Sequence, residues 1–147
     1  DLIKQDLADQ KNLELHLSTI FTEVRLKSYI EIRSLDACEW DCHCAGPAFF
    51  TGLLYGNLDE SYQIINSWDK NNVLEAYANS PKKGLYTEIK GKSILYWSEI
   101  FLNISRDGLK KRNYLNSKKN NETVYLKNIE NMIKNKRTKA EDSLKDL

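Results

Sequence analysis

The sequence has no apolar run near the ~18 residues a membrane span requires, and no signal peptide is visible, so no membrane partner is expected. Strong net charge is also missing: 22 Lys and Arg against 21 Asp and Glu leave +1, which says little about partners. Cysteine is scarce and oddly placed, with Cys38, Cys42 and Cys44 crowded beside His43. An odd, clustered set is no disulfide framework, so a reducing cytoplasm is the expected compartment. The spacing C-x3-C-x-C is not a standard zinc pattern and no second ligand pair follows, which favours small buried or semi-buried thiols over a metal site. Repeats and low-complexity linkers are absent as well. With 147 residues, 41% of them apolar, the chain is one domain's worth (residues 1–147) with a modest core. Asp1 is not an initiator methionine, which suggests a fragment or a processed chain.

One stretch lacks every turn-forming residue. Residues 23–33 contain no Gly, Pro, Asn or Asp, and they alternate at period two. Val24, Leu26, Ser28, Ile30 and Ile32 fall on one face. Glu23, Arg25, Lys27, Tyr29, Glu31 and Arg33 fall on the other. A hairpin bending at Lys27-Ser28 would lack residues that tolerate positive φ. The stretch therefore reads as one continuous strand, about 35 Å long at about 3.3 Å per residue. Glu31 and Arg33 then share a face closely enough to converge on one ligand, while Arg25 lies roughly 20 Å from Glu31 and serves another subsite or none. No second segment alternates comparably, so the partner strands are expected outside this chain.

Downstream the pattern is helical. Asp9 can cap a short helix carrying Leu13 and Leu17 with His16 beside them, ending near Ile20 and Phe21. After the strand, residues 34–41 read as a loop. Pro47 fits the first turn of a helix holding Phe49, Phe50, Leu53 and Leu54, with Gly56 at its end. Asn57 caps a second helix with Leu58, Tyr62, Ile65 and Trp68 on one face. A third, residues 72–79, buries Val73, Leu74 and Tyr77 before Pro81 and Gly84 break it. Residues 85–90 form an extended connector. Ser93 opens the longest helix, with Ile94, Trp97, Phe101 and Ile104 at helical spacing and Gly108 inside it. A polar loop at 116–121 precedes a helix showing Tyr125, Ile129, Met132 and Ile133. Thr138 and Glu141 form a capping box for the last helix, with Leu144 beneath it. The aromatic and Met stripes read as core and contain no cofactor box.

Between residues 106 and 139, eleven Lys or Arg face three acids (Asp107, Glu122, Glu130). Few aromatics are interleaved there and no reader motif appears, so a solvated helix face is expected and no nucleic-acid partner.

Glu31-x-Arg33 places a hard carboxylate suited to Mg²⁺ beside a planar guanidinium suited to phosphate. The run Tyr29-Ile-Glu-Ile-Arg-Ser-Leu-Asp36 resembles the strand signature of glutamate–cysteine ligases. Residues 16–27 (HLSTIFTEVRLK), 47–55 (PAFFTGLLY), 108–112 (GLKKR) and 137–141 (RTKAE) resemble their plant-type branch. The likeness runs in order from about Asp9 to the end. It implies an ATP-dependent ligase of glutathione biosynthesis. The glutamate γ-carboxylate attacks the γ-phosphate of ATP, and the amine of cysteine then displaces phosphate. The implied fold is α+β, the C-terminal part of a glutamine-synthetase-like catalytic fold, with one long strand followed mostly by α-helices.

By the same resemblance Glu31 is the Mg²⁺ ligand, Arg33 is the catalytic arginine near the transferred phosphoryl group, and Arg25 has a substrate or phosphate role. Trp40 would flank the glutamate pocket, unless it packs in the core. The cofactors are ATP and Mg²⁺. The partners are glutamate, cysteine, ATP and a missing N-terminal part of the same enzyme, which carries the other Mg²⁺ carboxylates. A chain of this extent is expected to be inactive alone. The departures are Thr22 and Lys139, where the branch has proline, Ser34-Leu35-Asp36 in place of a glycine-rich loop, and Gly46 and Phe50. They look like packing and loop variants. A related ligase using another amine, or a non-catalytic helical binding module, are the competing readings.

Overall fold

The computed structural model describes residues 9–36 and 38–144. The chain divides between residues 37 and 38 into two compact units. Helices predominate and two short strand pairs accompany them, so the chain is of mixed α+β character.

In the first unit, α1 (Gln10–Thr19) is capped as expected, with the Asp9 carboxylate accepting from the Asn12 N–H at 2.7 Å. The continuous strand is not formed. Residues 23–33 fold back on themselves as a hairpin of β1 (Val24–Leu26) and β2 (Ile30–Ile32). The strands pair antiparallel with Val24 opposite Ile32, Arg25 opposite Glu31 and Leu26 opposite Ile30. The connecting residues, 27–29, close with the Lys27 N–H donating to the Tyr29 carbonyl at 2.8 Å. None of them takes a positive φ. The absence of Gly and Asn therefore excludes only the primed two-residue turns. The strand's own partner lies within the same eleven-residue stretch.

Residues 34–36, which close the first unit, carry no regular structure, and neither do residues 38–39, which open the second before a 3-10 turn over Trp40–Cys42. Pro47 lies in the first turn of α2 (Ala45–Thr51), where its missing N–H costs nothing. This helix runs on through a wider π turn, Gly52–Gly56. The longest helix, α5 (Ile94–Arg112), starts with the Ser93 hydroxyl accepting from the Tyr96 N–H and ends on Asn113 in the left-handed region (φ 54).

The π turn crosses α5 at glycine. A methyl at Gly52 would overlap the Ser105 carbonyl and hydroxyl, one at Gly56 would overlap the Gly108 backbone, and one at Gly108 would overlap the Gly52 carbonyl. Because no side chain separates the two backbones, polar groups also cross. The Ser105 hydroxyl donates to the Phe49 carbonyl at 2.8 Å, and the Asn57 amide donates to the Ile104 carbonyl at 3.2 Å. Asn57 stands at the N-cap of α3 (Leu58–Asn66), as expected, but its side chain makes no cap hydrogen bond. Its oxygen instead accepts from the Lys111 ammonium on α5.

Below this crossing lies the core: Ala48, Leu102, Leu109, Leu126 and Ile133, with Phe49, Leu95, Tyr125 and Ile129 packed against it. Ile129 and Ile133 come from α6 (Lys127–Asn135), which confirms the period read there. α4 (Lys70–Lys83) is longer than expected and passes through Pro81. Proline removes the N–H that would reach the Tyr77 carbonyl four residues back, and the Ser80 hydroxyl donates to that carbonyl at 3.0 Å instead. The residue α4 buries is Ala76; Val73, Leu74 and Tyr77 are exposed.

The connector at 85–90 also differs from the extended reading. β3 (Glu88–Ile89) and β4 (Lys92–Ser93) pair across Lys90 and Gly91, both with positive φ. That is a two-residue primed turn, made with Lys-Gly where Asn-Gly would be the usual signal. The last helix, α7 (Lys139–Ser143), has the full Thr138/Glu141 capping box, but Leu144 is 70% exposed and lies beneath nothing.

Replacing Gly108 or Gly52 with alanine forces backbone against backbone and is expected to cost at least about 1–3 kcal/mol of stability, as overpacking does. Urea unfolding of this chain checks it. A midpoint unchanged from wild type in both variants would contradict the crossing.

Candidate functional site

The hairpin preserves the face assignment of a straight strand, because each residue pairs with one of equal parity. Glu23, Arg25, Glu31 and Arg33 therefore share the charged face. What changes is distance. Arg25 is not remote from Glu31 but directly opposite it. Its Nε donates to Glu31 Oε2 at 2.6 Å, and both side chains are partly buried. Folding the strand back is the physical reason the ~20 Å separation expected along a single strand fails.

Arg25 makes a second bond, from a terminal guanidinium nitrogen to the Ser18 carbonyl at 3.1 Å. Arg33 lies with its guanidinium carbon 4.2 Å from the centre of the Phe21 ring and reaches the Ile20 carbonyl at 3.4 Å. Helix C-termini carry unpaired carbonyls and a partial negative charge, which cations favour. Two arginines of the charged face thus grip the end of α1. Phe21 and the Ser18 carbonyl are contributors that residue patterns alone do not reveal. An aromatic just past a helix end, with an arginine further along, is the only sequence signal they leave.

Glu31 is held ionised. The hydrogen bond from Arg25 lowers its pKa below the ordinary 4.5, partial burial opposes this, and the charges of Arg25, Arg33 and Lys27 reinforce it. Oε2 is committed to Arg25, and among the described residues Oε1 shows no hydrogen bond. An ionised carboxylate with one open oxygen fits a single Mg²⁺ ligand. Among the described residues no three His, Cys, Asp or Glu side chains gather to hold a metal, so Glu31 would be one oxygen of a site completed elsewhere.

In the second unit, Trp40 is 88% exposed, with its ring 5.5 Å from that of His43, so it is not a core residue of that unit. Cys38 and Cys42 are joined by a disulfide, and Cys44 is free and exposed. Cys42 is buried and Cys38 half-buried, as expected, but the expectation that they are reduced is corrected by the bridge, and Cys44 is exposed. The 3-10 turn between the two cysteines brings their Cα atoms to 6.1 Å, within bridging range. The basic stretch at 106–139 is laced with ion pairs: Arg106 with Glu130, Lys110 with Asp107, Arg112 with Glu122, and Arg137 with Asp142. No helix among the described residues is long and apolar enough to cross a membrane.

The chain matches the model of glutamate-cysteine ligase family 2 (GCS2) over residues 3–146 and belongs to that family. It is 34% identical over 143 residues to the chloroplastic glutamate–cysteine ligase of Arabidopsis thaliana, which covers 95% of this chain and 26% of the relative. To the chloroplastic ligase A of Oryza sativa subsp. indica it is 34% identical over 140 residues, 92% of this chain and 27% of the relative. The tomato (Solanum lycopersicum) chloroplastic enzyme is 32% identical over 133 residues, 89% and 24%. The chain thus spans about a quarter of the length of the curated relatives it matches. These relatives are named for the chloroplast, which overturns the expected cytoplasmic location. That expectation rested on the number and clustering of the cysteines, which carry no address, and the Cys38–Cys42 bridge removes its premise of reduced thiols.

The lowered pKa fixes a direction for pH. A depressed carboxylate stabilises the fold fully above the unfolded value near 4.5, and that contribution disappears as pH falls through the lower folded value. Carbon-detected NMR of the Glu31 carboxyl should give a midpoint below 4.5, and Arg25→Ala should raise it. A wild-type midpoint at or above 4.5 would contradict the pairing.

Proposed function

We propose that this chain is a C-terminal catalytic part of an ATP-dependent ligase that joins the γ-carboxylate of L-glutamate to the amine of L-cysteine, the first step of glutathione biosynthesis, in the plastid. The observation that carries the reading is the charged face of the β1–β2 hairpin, where Glu31, Arg25 and Arg33 stand together in a chain of this family. Both units belong to one catalytic domain of a glutamine-synthetase-like fold, and the hairpin supplies two strands of its antiparallel sheet. Three quarters of the relatives' length lies outside this chain and provides the remaining strands and metal carboxylates.

The chemistry brings two anions together. A γ-carboxylate oxygen of glutamate bonds to the γ-phosphorus of ATP, and the bond to ADP breaks. The amine nitrogen of cysteine then bonds to the acyl carbon, phosphate leaves, and the amine loses a proton. Repulsion between the carboxylate and the triphosphate must be offset, and fixed cations in a water-poor site do this far better than water. Mg²⁺, when bound, supplies positive charge against the phosphates. Glu31 offers it one ionised oxygen. Arg33, held over Phe21 and at the Ile20 carbonyl, retains donors that can face a phosphoryl group. Arg25 lies on the same face.

The test uses the full-length enzyme. Glu31→Gln and Arg33→Ala should each lower kcat by about 10²-fold or more, with circular dichroism showing the fold retained at the assay temperature even where the thermal midpoint falls. This chain alone should show no ATP hydrolysis dependent on glutamate and cysteine, and addition of the N-terminal part should restore it. Near-normal turnover in both variants would overturn the assignment.

A further inference from the structure

On the hairpin the Glu31 carboxylate is paired with the Arg25 guanidinium, and that guanidinium is itself held by the protein. The Arg25 guanidinium bridges two acceptors in fixed directions, Glu31 Oε2 at 2.6 Å and the Ser18 carbonyl at 3.1 Å. The Arg25 and Glu31 side chains project from directly opposed backbone positions. A glutamate side chain left to itself samples several rotamers. Tethered through one oxygen to a guanidinium that is itself anchored on α1, it presents the other oxygen in one direction. Arg33, by contrast, meets its carbonyl at 3.4 Å and otherwise rests on a ring face. The two arginines are therefore unlike: one is loosely held and able to meet a ligand, the other is already spent on the protein.

We propose that Arg25 is a positioning residue, fixing the Glu31 carboxylate against the C-terminal end of α1 and not itself contacting substrate. This rests on the ligase reading above, and it refines the substrate-contacting role that the family resemblance implies for Arg25.

The experiment combines kinetics and metal binding on the full-length enzyme. A misplaced carboxylate should lower kcat by about 10²-fold in Arg25→Ala while the KM values for ATP and glutamate move by no more than about threefold. Arg25→Lys keeps the charge but loses the planar fork that meets the two acceptors in fixed directions, so it should share most of that loss. Because Arg25 acts through Glu31, the double variant Arg25→Ala/Glu31→Gln should turn over no more slowly than Glu31→Gln. Mn²⁺ titration, followed by electron paramagnetic resonance, should show weaker binding in Arg25→Ala. Simple removal of a neighbouring positive charge would strengthen it.

A KM rise with kcat preserved, rescue by lysine, additive losses in the double variant, or tighter Mn²⁺ binding would each overturn the proposal while leaving the ligase reading standing. Absence of glutamate- and cysteine-dependent ATP hydrolysis in the wild type would sink the ligase reading, and the Mn²⁺ comparison would still decide the role of Arg25. If Arg25→Ala does not fold, Arg25→Gln and Arg25→Lys carry the same comparisons.

Discussion

The second unit depends on a contact that involves almost no side chain. Gly52 and Gly56 meet Ser105 and Gly108 where the π turn crosses α5, and a methyl group at any of the three glycines would overlap backbone across the crossing. Close approach has two consequences. It brings Leu109 and Leu126 into a fully buried layer with Leu102 and Ala48. It also lets Ser105 and Asn57 bond directly to carbonyls of the facing segment. Buried polar groups are tolerated only when paired, so these two bonds and the glycines must persist together. The wider turn at Gly52–Gly56 is the local distortion that makes this possible, consistent with the tendency of π turns to occur where geometry is specialised.

The first unit is organised by charge. Its helix α1 exposes Leu13, Leu15 and Leu17, and none of the unit's described residues is buried. Arg25 and Arg33 tie the hairpin to the end of α1 through carbonyls that a helix terminus leaves over. The pairing that keeps Glu31 ionised is thus the same one that orders the unit, so the group proposed for chemistry and the group needed for local structure cannot be varied independently.

Legibility in the sequence followed the range of the interaction. Local signals were readable: Asp9, Ser93 and Thr138 cap the helices that their positions suggested, and Ile129 and Ile133 of the α6 stripe face the core, whereas α5 packs there through Leu95, Leu102 and Leu109 and buries only Ile104 of the stripe read for it. Period two correctly sorted Glu31 and Arg33 from Val24 and Ile32, since parity survives folding back. The turn at 27–29 was invisible because it needs no left-handed residue, and with it went the Arg25–Glu31 contact. Pro81 was read as a helix breaker because the compensating Ser80 hydroxyl acts only once the helix exists. The glycine crossing joins residues about fifty positions apart, and spacing carries no trace of it. The Cys38–Cys42 bridge was missed because spacing does not show how a tight turn closes the distance.

The chemistry proposed for the charged face of the hairpin is transfer of a phosphoryl group to a carboxylate. The most direct measurement follows oxygen in the full-length enzyme supplied with glutamate carrying ¹⁸O in its γ-carboxylate. The expected result is ¹⁸O in the released phosphate with the wild-type residue at position 31, appearing about 10²-fold or more slowly once Glu31 is replaced by glutamine. Product formation without ¹⁸O in phosphate, or equal transfer by both proteins, would contradict it.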